Sequence, residues 1–323
     1  MYEIIYIRMN NVWHNLPRPF TVLAPMEAVT DTVFRHVIRQ AASPDLYFTE
    51  FTNATGWAHA GDRAIGTRLV KSDDESPIIA QIWGGDPASM AGLAAHCRDL
   101  GYDGIDINMG CPAKTAIKSG GAALIRNPQL AAEAIASAKT AGLPVSVKTR
   151  LGYTHTDEWR DWLGHLLAQD IVNLTIHLRT KREMSKVPAH YELIPAIKQL
   201  RDERAPHTLL TINGDIRDRA HGEELAGTYG IDGVMIGRGV FHDPFAFEMA
   251  TRPHDSEELF ALLRLHLDLF DAFVVTHGDR PYEPLKRFFK IYVRDFDGAS
   301  ELRDRLMHTK STAEVRAVLA AHK

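Results

Sequence analysis

The chain is short of cysteine, long apolar runs and net charge, and each shortage excludes something. Two cysteines, Cys97 and Cys111, stand 14 residues apart in a chain of 323. They make neither a disulfide framework nor a spaced ligand set, which points to a reducing, cytoplasmic setting and no metal. No apolar run approaches the ~20 residues of a membrane span. Met1 to Asn10 carries Glu3 and Arg8 and lacks a basic start and a small-residue cleavage site, so it does not read as a signal peptide. Met1 and Met9 both stand open as the start. No G-x-G-x-x-G follows the first apolar strand, which removes the usual sign of a dinucleotide-binding sheet. The 45% hydrophobic and 24% charged residues are those of a soluble globular protein, and the net charge of -4 argues weakly against a nucleic-acid partner. Only the tail departs from this. From Arg280 to Lys323 there are ten Lys and Arg against six Asp and Glu, a net +4. Nothing indicates an obligate protein partner.

What is present is a repeated alternation. Apolar runs at Phe20 to Met26, Leu46 to Phe51, Pro77 to Trp83, Gly104 to Asn108, Pro144 to Arg150, Ile171 to His177, Thr208 to Asn213 and Gly233 to Ile236 read as eight strands. Helical patterns separate them. Asp86-Pro87 and Asn127-Pro128 place a capping side chain before a first-turn proline. Valine and isoleucine on both faces mark parallel strands. Eight such units over about 220 residues predict a TIM barrel, an α/β fold, with an open doubly wound sheet as the structural alternative. After Pro253 the strands stop. Ser256 to Val275, Tyr282 to Phe296 and Ser311 to Ala321 read as helices. The predicted division is a barrel over 1–250 and an all-helical domain over 251–323.

A barrel carries its chemistry at the C-terminal ends of its strands. Those ends read Met26, Glu50, Gln81, Asn108, Lys148, His177, Asn213 and Gly237-Arg238. Any one of them could simply mark where a strand leaves the core. A ring of Gln, Asn, Lys, His and Asn is less easily dismissed. Asn213-Gly214-Asp215 and Gly237-Arg238-Gly239 follow strands seven and eight, where such barrels hold phosphate through backbone N–H groups and a forked arginine. Lys148 could form a Schiff base, pair with an anion or sit in a salt bridge. A phosphate site beside Lys, Gln and His suggests a phosphorylated cofactor, either FMN or pyridoxal phosphate. Cys111 lies in Asn108-Met109-Gly110-Cys111-Pro112, just past a strand end and ahead of a glycine pair. A lone cysteine is more often a small buried hydrophobe than a reactive group.

These segments, with Pro25-Met26, Lys118-Ser119-Gly120-Gly121-Ala122 and Val147-Lys148-Thr149-Arg150, occur in the order that resembles the bacterial tRNA-dihydrouridine synthases. The resemblance covers about the first 245 residues, and more loosely the tail through Lys286, Phe288 and Tyr292. It implies a flavoprotein that reduces uridine in tRNA with FMN and a nicotinamide donor, NADPH or NADH. Pro25 and Met26 would lie under the flavin ring, Gln81 and Lys148 at its polar edge, and His177 beside it. Asn213, Gly214, Asp215, Gly237 and Arg238 would hold the phosphate. Cys111 would be the general acid. Asn108 and Arg150 would bind uracil, and Lys286, Arg287 and Lys290 on one helical face would meet tRNA phosphates. The chain departs from the family pattern at Leu178, where Gly is usual, and from Arg182 to Tyr191. Two other classes compete on the residues alone: a Schiff-base lyase using Lys148, and a non-catalytic RNA-binding protein using the basic tail.

Overall fold

The computed structural model describes residues 11–278 and 280–322, so the start and the signal-peptide reading of residues 1–10 lie outside the described residues. Nine parallel strands form one sheet: β1 Phe20–Leu23, β2 Tyr47–Phe48, β3 Thr52–Asn53, β4 Ile78–Trp83, β5 Gly104–Asn108, β6 Val145–Arg150, β7 Asn173–His177, β8 Leu209–Asn213 and β9 Gly233–Ile236. Their order is β1-β9-β8-β7-β6-β5-β4-β2, with β3 also on β4. A bridge from Val22 to Leu46 brings the two ends together, which gives the barrel that the alternation predicts. Helices on the outside return each strand to its parallel neighbour. The predicted caps form: the side chain of Asp86 accepts from Ser89 N–H at 2.8 Å, and that of Asn127 from Leu130 N–H at 3.2 Å.

The second predicted strand, Leu46 to Phe51, is corrected to two pieces. Phe48 pairs with Ile79 and Thr52 with Ile82, so three residues on one side oppose two on the other. The extra residue is a bulge, and it re-aims Glu50 into buried space.

The barrel interior is lopsided. Trp13, Phe20, Val22, Leu46, Phe48, Ile79 and Met235 form a separate apolar cluster on the β1, β2 and β9 side. Gln81, Asp106, Ser146, Asn173, Thr175 and Thr211, all wholly buried, occupy β4 to β8. A half-polar barrel core is tolerable only because each group finds a hydrogen-bond partner.

The C-terminal helices pack on the outside of the barrel. Helix Ser256–His277 starts with a reciprocal capping box, Asp255 with Glu258, and buries Leu259, Leu262, Leu263, Leu267, Phe270 and Phe273. Phe34, on the helix after β1, meets Phe288 with ring centroids 4.7 Å apart. The single helix expected over Tyr282 to Phe296 is corrected to a 3-10 turn, Glu283–Phe288, and a short helix, Phe289–Tyr292. Phe288, Phe289, Ile291, Tyr292 and Val293 are all buried. No single helical face can present that many neighbours, so the backbone changes geometry to bury them. Helix Ala299–Met307 is an addition to the predicted elements and buries Ala299, Leu302 and Leu306. No helix among the described residues is long and apolar enough to cross a membrane.

Candidate active site

Residues paired across parallel strands point the same way, so register stacks the polar side chains in layers. Gln81 pairs with Asp106 and Asp106 with Ser146. Asn108 pairs with Lys148, and Arg150 with His177, which pairs with Asn213. Ser146 Oγ donates to Asp106 at 2.6 Å, and Gln81 Nε2 donates to the other oxygen at 2.7 Å. Asn108 Nδ2 donates to Gln81 Oε1 at 2.9 Å. Asn108 Oδ1 then accepts the backbone N–H groups of Gly110 at 3.0 Å and Cys111 at 2.9 Å. A continuous polar chain therefore runs from the barrel floor to the thiol's own backbone. Ala122 N–H on the Cys111 carbonyl, at 3.1 Å, closes the loop from behind. Gly121 makes that possible with φ +55°, where a Cβ would come within 3.0 Å of the same carbonyl.

Burial sets the charges. It pushes the Asp106 carboxyl up to about 6. Burial, with Arg150 nearby, brings Lys148 down to about 8. His177 is held well below its usual value by burial and by Arg150, Lys148, Arg179 and Arg238, so its ring is neutral. Burial raises the Cys111 thiol against the pull of the Ala113 N–H and Arg150, which keeps it protonated at neutral pH. Arg150 bonds Gly110 O at 2.8 Å and the carbonyls of Thr180 and Met184 at 3.1 Å, tying the loops after β5 and β7 together.

Two cavities open at the mouth. The larger, about 540 Å³, is lined by Pro25, Met26, Lys148, Arg150, His177, Asn213, Gly214, Asp215, Gly237 and Arg238, among others. The smaller, about 320 Å³, is lined by Cys111 with Glu27, Phe51, Asn53, Arg68 and Trp83. Pro112 faces the larger cavity and Cys111 the smaller, so one short loop walls both. At the far end of the larger cavity Gly214 takes φ +118°. Asp215 accepts from Arg179, from Arg238 at 2.8 Å and from the Ala189 N–H at 3.1 Å. Arg179 is 2% exposed, and its Nη1 has no partner among the described residues. Gly214 lies directly above it: a Cβ there would be 3.6 Å from that nitrogen.

The model of the family described as Dihydrouridine synthase (Dus) matches residues 22–323. The chain belongs to the dihydrouridine synthase family. A probable tRNA-dihydrouridine synthase 2 of Bacillus subtilis (strain 168) is 60% identical over 96% of this chain and 95% of that protein. Probable tRNA-dihydrouridine synthases of Staphylococcus epidermidis (strain RP62A) and Staphylococcus aureus (strain COL) are 59% and 58% identical over 96% of this chain, covering 95% and 94% of those proteins. Among solved structures, 6-hydroxypseudooxynicotine amine oxidase from Pseudomonas geniculata N1 superposes with a TM-score of 0.53 at 12% identity. It covers 71% of this chain and 46% of that one, and that likeness concerns the fold alone.

For a dihydrouridine synthase, the residues singled out from sequence fall into three groups. Pro25, Met26, Lys148, Arg150, His177, Asn213, Gly214, Asp215, Gly237 and Arg238 share one cavity, and Cys111 opens into the next. Gln81 is not at a strand end, as its position suggests. It lies inside β4, wholly buried, because the strand runs on to Trp83. Lys286, Arg287 and Lys290 line neither cavity and do not share one regular helix. Lys286 pairs with Glu283 at 2.9 Å, Arg287 donates to Ala28 O at 3.0 Å, and Lys290 lies 5.5 Å from the Phe241 ring centre. Asp106, Arg179 and the walls of the smaller cavity join the site only in the structure. An acid on the inner face of Gly104-Ile105-Asp106-Ile107-Asn108 is a readable signal. Arg179 is hidden in a stretch that stands out only by its departure from the family pattern. No cluster of possible metal ligands occurs among the described residues.

Proposed function

We propose that this protein reduces uridines of tRNA to 5,6-dihydrouridine with FMN and NADPH or NADH, in a cytoplasmic setting. One observation carries the reading: a fixed loop whose Pro112 walls a cavity large enough for a flavin and whose Cys111, a protonated thiol, walls the cavity next to it. The larger cavity's volume suits a cofactor, and its donor set fits FMN. Lys148 would meet the ring's polar edge, with Gln81 buried below it in the network that holds Asn108. Met26 and Pro25 would pack on its face, with neutral His177 alongside. Asn213, the backbone N–H groups of Gly214 and Asp215, Gly237 and Arg238 would hold the phosphate. The unpartnered Nη1 of Arg179 beneath Gly214 adds a buried donor at that end. The Asp215 carboxylate is an acceptor and would repel phosphate. Its part is to aim Arg238.

When bound and reduced, FMN supplies the hydride that adds to C6 of uracil. The negative charge that develops on the uracil is relieved when Cys111 Sγ gives its proton to C5 from the other face. Asn108 fixes where that sulfur stands, and Arg150, with Nη2 free of protein partners among the described residues, would bind the base. A uridine in folded tRNA must be turned outward to arrive. The helices from residue 251 onward would form the tRNA-binding domain, with the barrel as the catalytic one. Family membership weighs against the Schiff-base lyase.

Arg238→Ala should weaken FMN retention by roughly 1.5–3 kcal/mol, the worth of one charge-assisted hydrogen bond. Equilibrium dialysis measures this, and wild-type retention would remove the phosphate from this end of the cavity. Lys286→Ala with Lys290→Ala should flatten the salt dependence of tRNA binding by up to ~0.7–0.9 in slope for each phosphate no longer neutralised. Reduction of the flavin should be untouched. A salt series of tRNA affinities decides, and an unchanged slope would take these lysines off the binding surface.

A further inference from the structure

The loop from Pro25 to Asp31 is gripped from two sides by groups outside the chemistry above. Ala28 sits in the left-handed region at φ 56°, which a non-glycine residue keeps only when its surroundings fix it. Its N–H donates to the buried carboxyl of Glu50, in the bulge between β2 and β3. Its carbonyl accepts from Arg287 Nη1 at 3.0 Å. One peptide segment thus joins the barrel wall to the C-terminal helices, across 259 positions of sequence. Arg280 adds a second tie, to Asp31.

The chain on the other side of Ala28 reaches both cavities. Pro25 and Met26 wall the larger, and Glu27 walls the smaller with Cys111. The N–H groups of Val29 and Thr30 both bond Met26 O at 3.0 Å, and the Thr30 hydroxyl accepts from Met26 N–H at 2.8 Å. These bonds make the segment a single unit, so a displacement at Ala28 is felt at Met26 and Glu27.

We infer that Arg287 is a positioning residue for the active-site loop: by holding Ala28 against Glu50 it links the seating of the C-terminal helices to the placement of Met26 and Glu27. The inference rests on the proposed function for its consequence, since tRNA bound on those helices would act on this link. Arg287 is exposed apart from this bond, so an RNA phosphate can compete with the Ala28 carbonyl for it.

The test uses the full-length protein without RNA. Iodoacetamide labelling of Cys111 is followed by peptide mass; Cys97, wholly buried and pushed up to about 12, stays silent. FMN release is followed by free-flavin fluorescence. Arg287→Ala should speed labelling by about two- to tenfold, the value of one hydrogen bond, with FMN release faster in step. Arg287→Lys keeps one donor of similar reach and should restore both. Wild-type labelling and flavin release in Arg287→Ala, with only tRNA affinity reduced, would make Arg287 a phosphate ligand and overturn the inference. Failure of Arg287→Lys to restore labelling would overturn it too. Neither readout needs turnover, so a protein inactive on tRNA still answers the question.

Discussion

Cys111→Ala should lose ~10²–10⁴ of its turnover on tRNA, about 3–5 kcal/mol of barrier, while it keeps its flavin and the flavin's reduction by nicotinamide. In the proposed reaction the proton leaves the thiol for C5 of uracil, and alanine has none to give. The loop itself should not move, because Asn108 holds it through backbone N–H groups that alanine retains. The pH dependence has a worked sign. Cys111 is raised by burial, so the acid form survives above the ordinary thiol range and its loss weighs only on the alkaline side. Lys148, brought down to about 8, should lose its charge first, so activity begins to fall there and falls again as the thiol ionises. The alanine variant should show only the first of these declines. Dihydrouridine in tRNA, counted after single-turnover reaction with pre-reduced enzyme, is the measurement. Near-normal yield would move the acid elsewhere.

Glu75→Ala should cost about 3–5 kcal/mol of stability, the usual penalty for stranding one partner of a buried ion pair. Arg35 and Glu75 are both fully buried side chains, joined by Nε to Oε1 at 2.7 Å and Nη2 to Oε2 at 3.0 Å. Arg35 also holds the carbonyls of Thr30 at 2.8 Å and Val70 at 2.9 Å. Glu75 accepts the Ser72 N–H at 2.8 Å. The cluster pins the segment before β4 to the helix after β1. Removing the carboxylate leaves a guanidinium buried without a counter-charge, and water must enter to solvate it. The midpoint of urea unfolding reads the loss. Glu75→Gln, which still accepts, should lose less. A variant with wild-type midpoint would show that the pair is already open to solvent.

Much of the barrel is legible in the sequence, for a physical reason. Strands such as Gly104–Asn108 and Gly233–Ile236 are bounded by residues that cannot continue a ladder, so their ends appear as composition. The bulge after Phe48 is not legible, because Leu46 to Phe51 reads as one unbroken strand and the extra residue shows only against the partner, where Ala80 and Gln81 stand opposite Thr49, Glu50 and Phe51. Gln81 reads as a mouth residue because polar side chains usually mark strand ends. In this barrel they also fill half of the interior, and only the hydrogen-bond network makes that visible. Lys286, Arg287 and Lys290 have the spacing of a helix face, but the buried aromatics between them dictate the backbone. For the site, residue types and order indicate which groups to expect. Which of them share a cavity depends on register, and register is a property of the closed sheet.

Asn108 reaches out from the barrel floor and fastens the Cys111 backbone, so the sulfur's location does not depend on the residues that come just after Pro112. Lys114, Lys118 and Ser119 are exposed and line neither cavity, so they can change without disturbing the thiol. The loop has an anchored half that sets the thiol and an outer half that does not bear on it. The outer rim of this loop can therefore be recut for a different surface while the sulfur keeps its place.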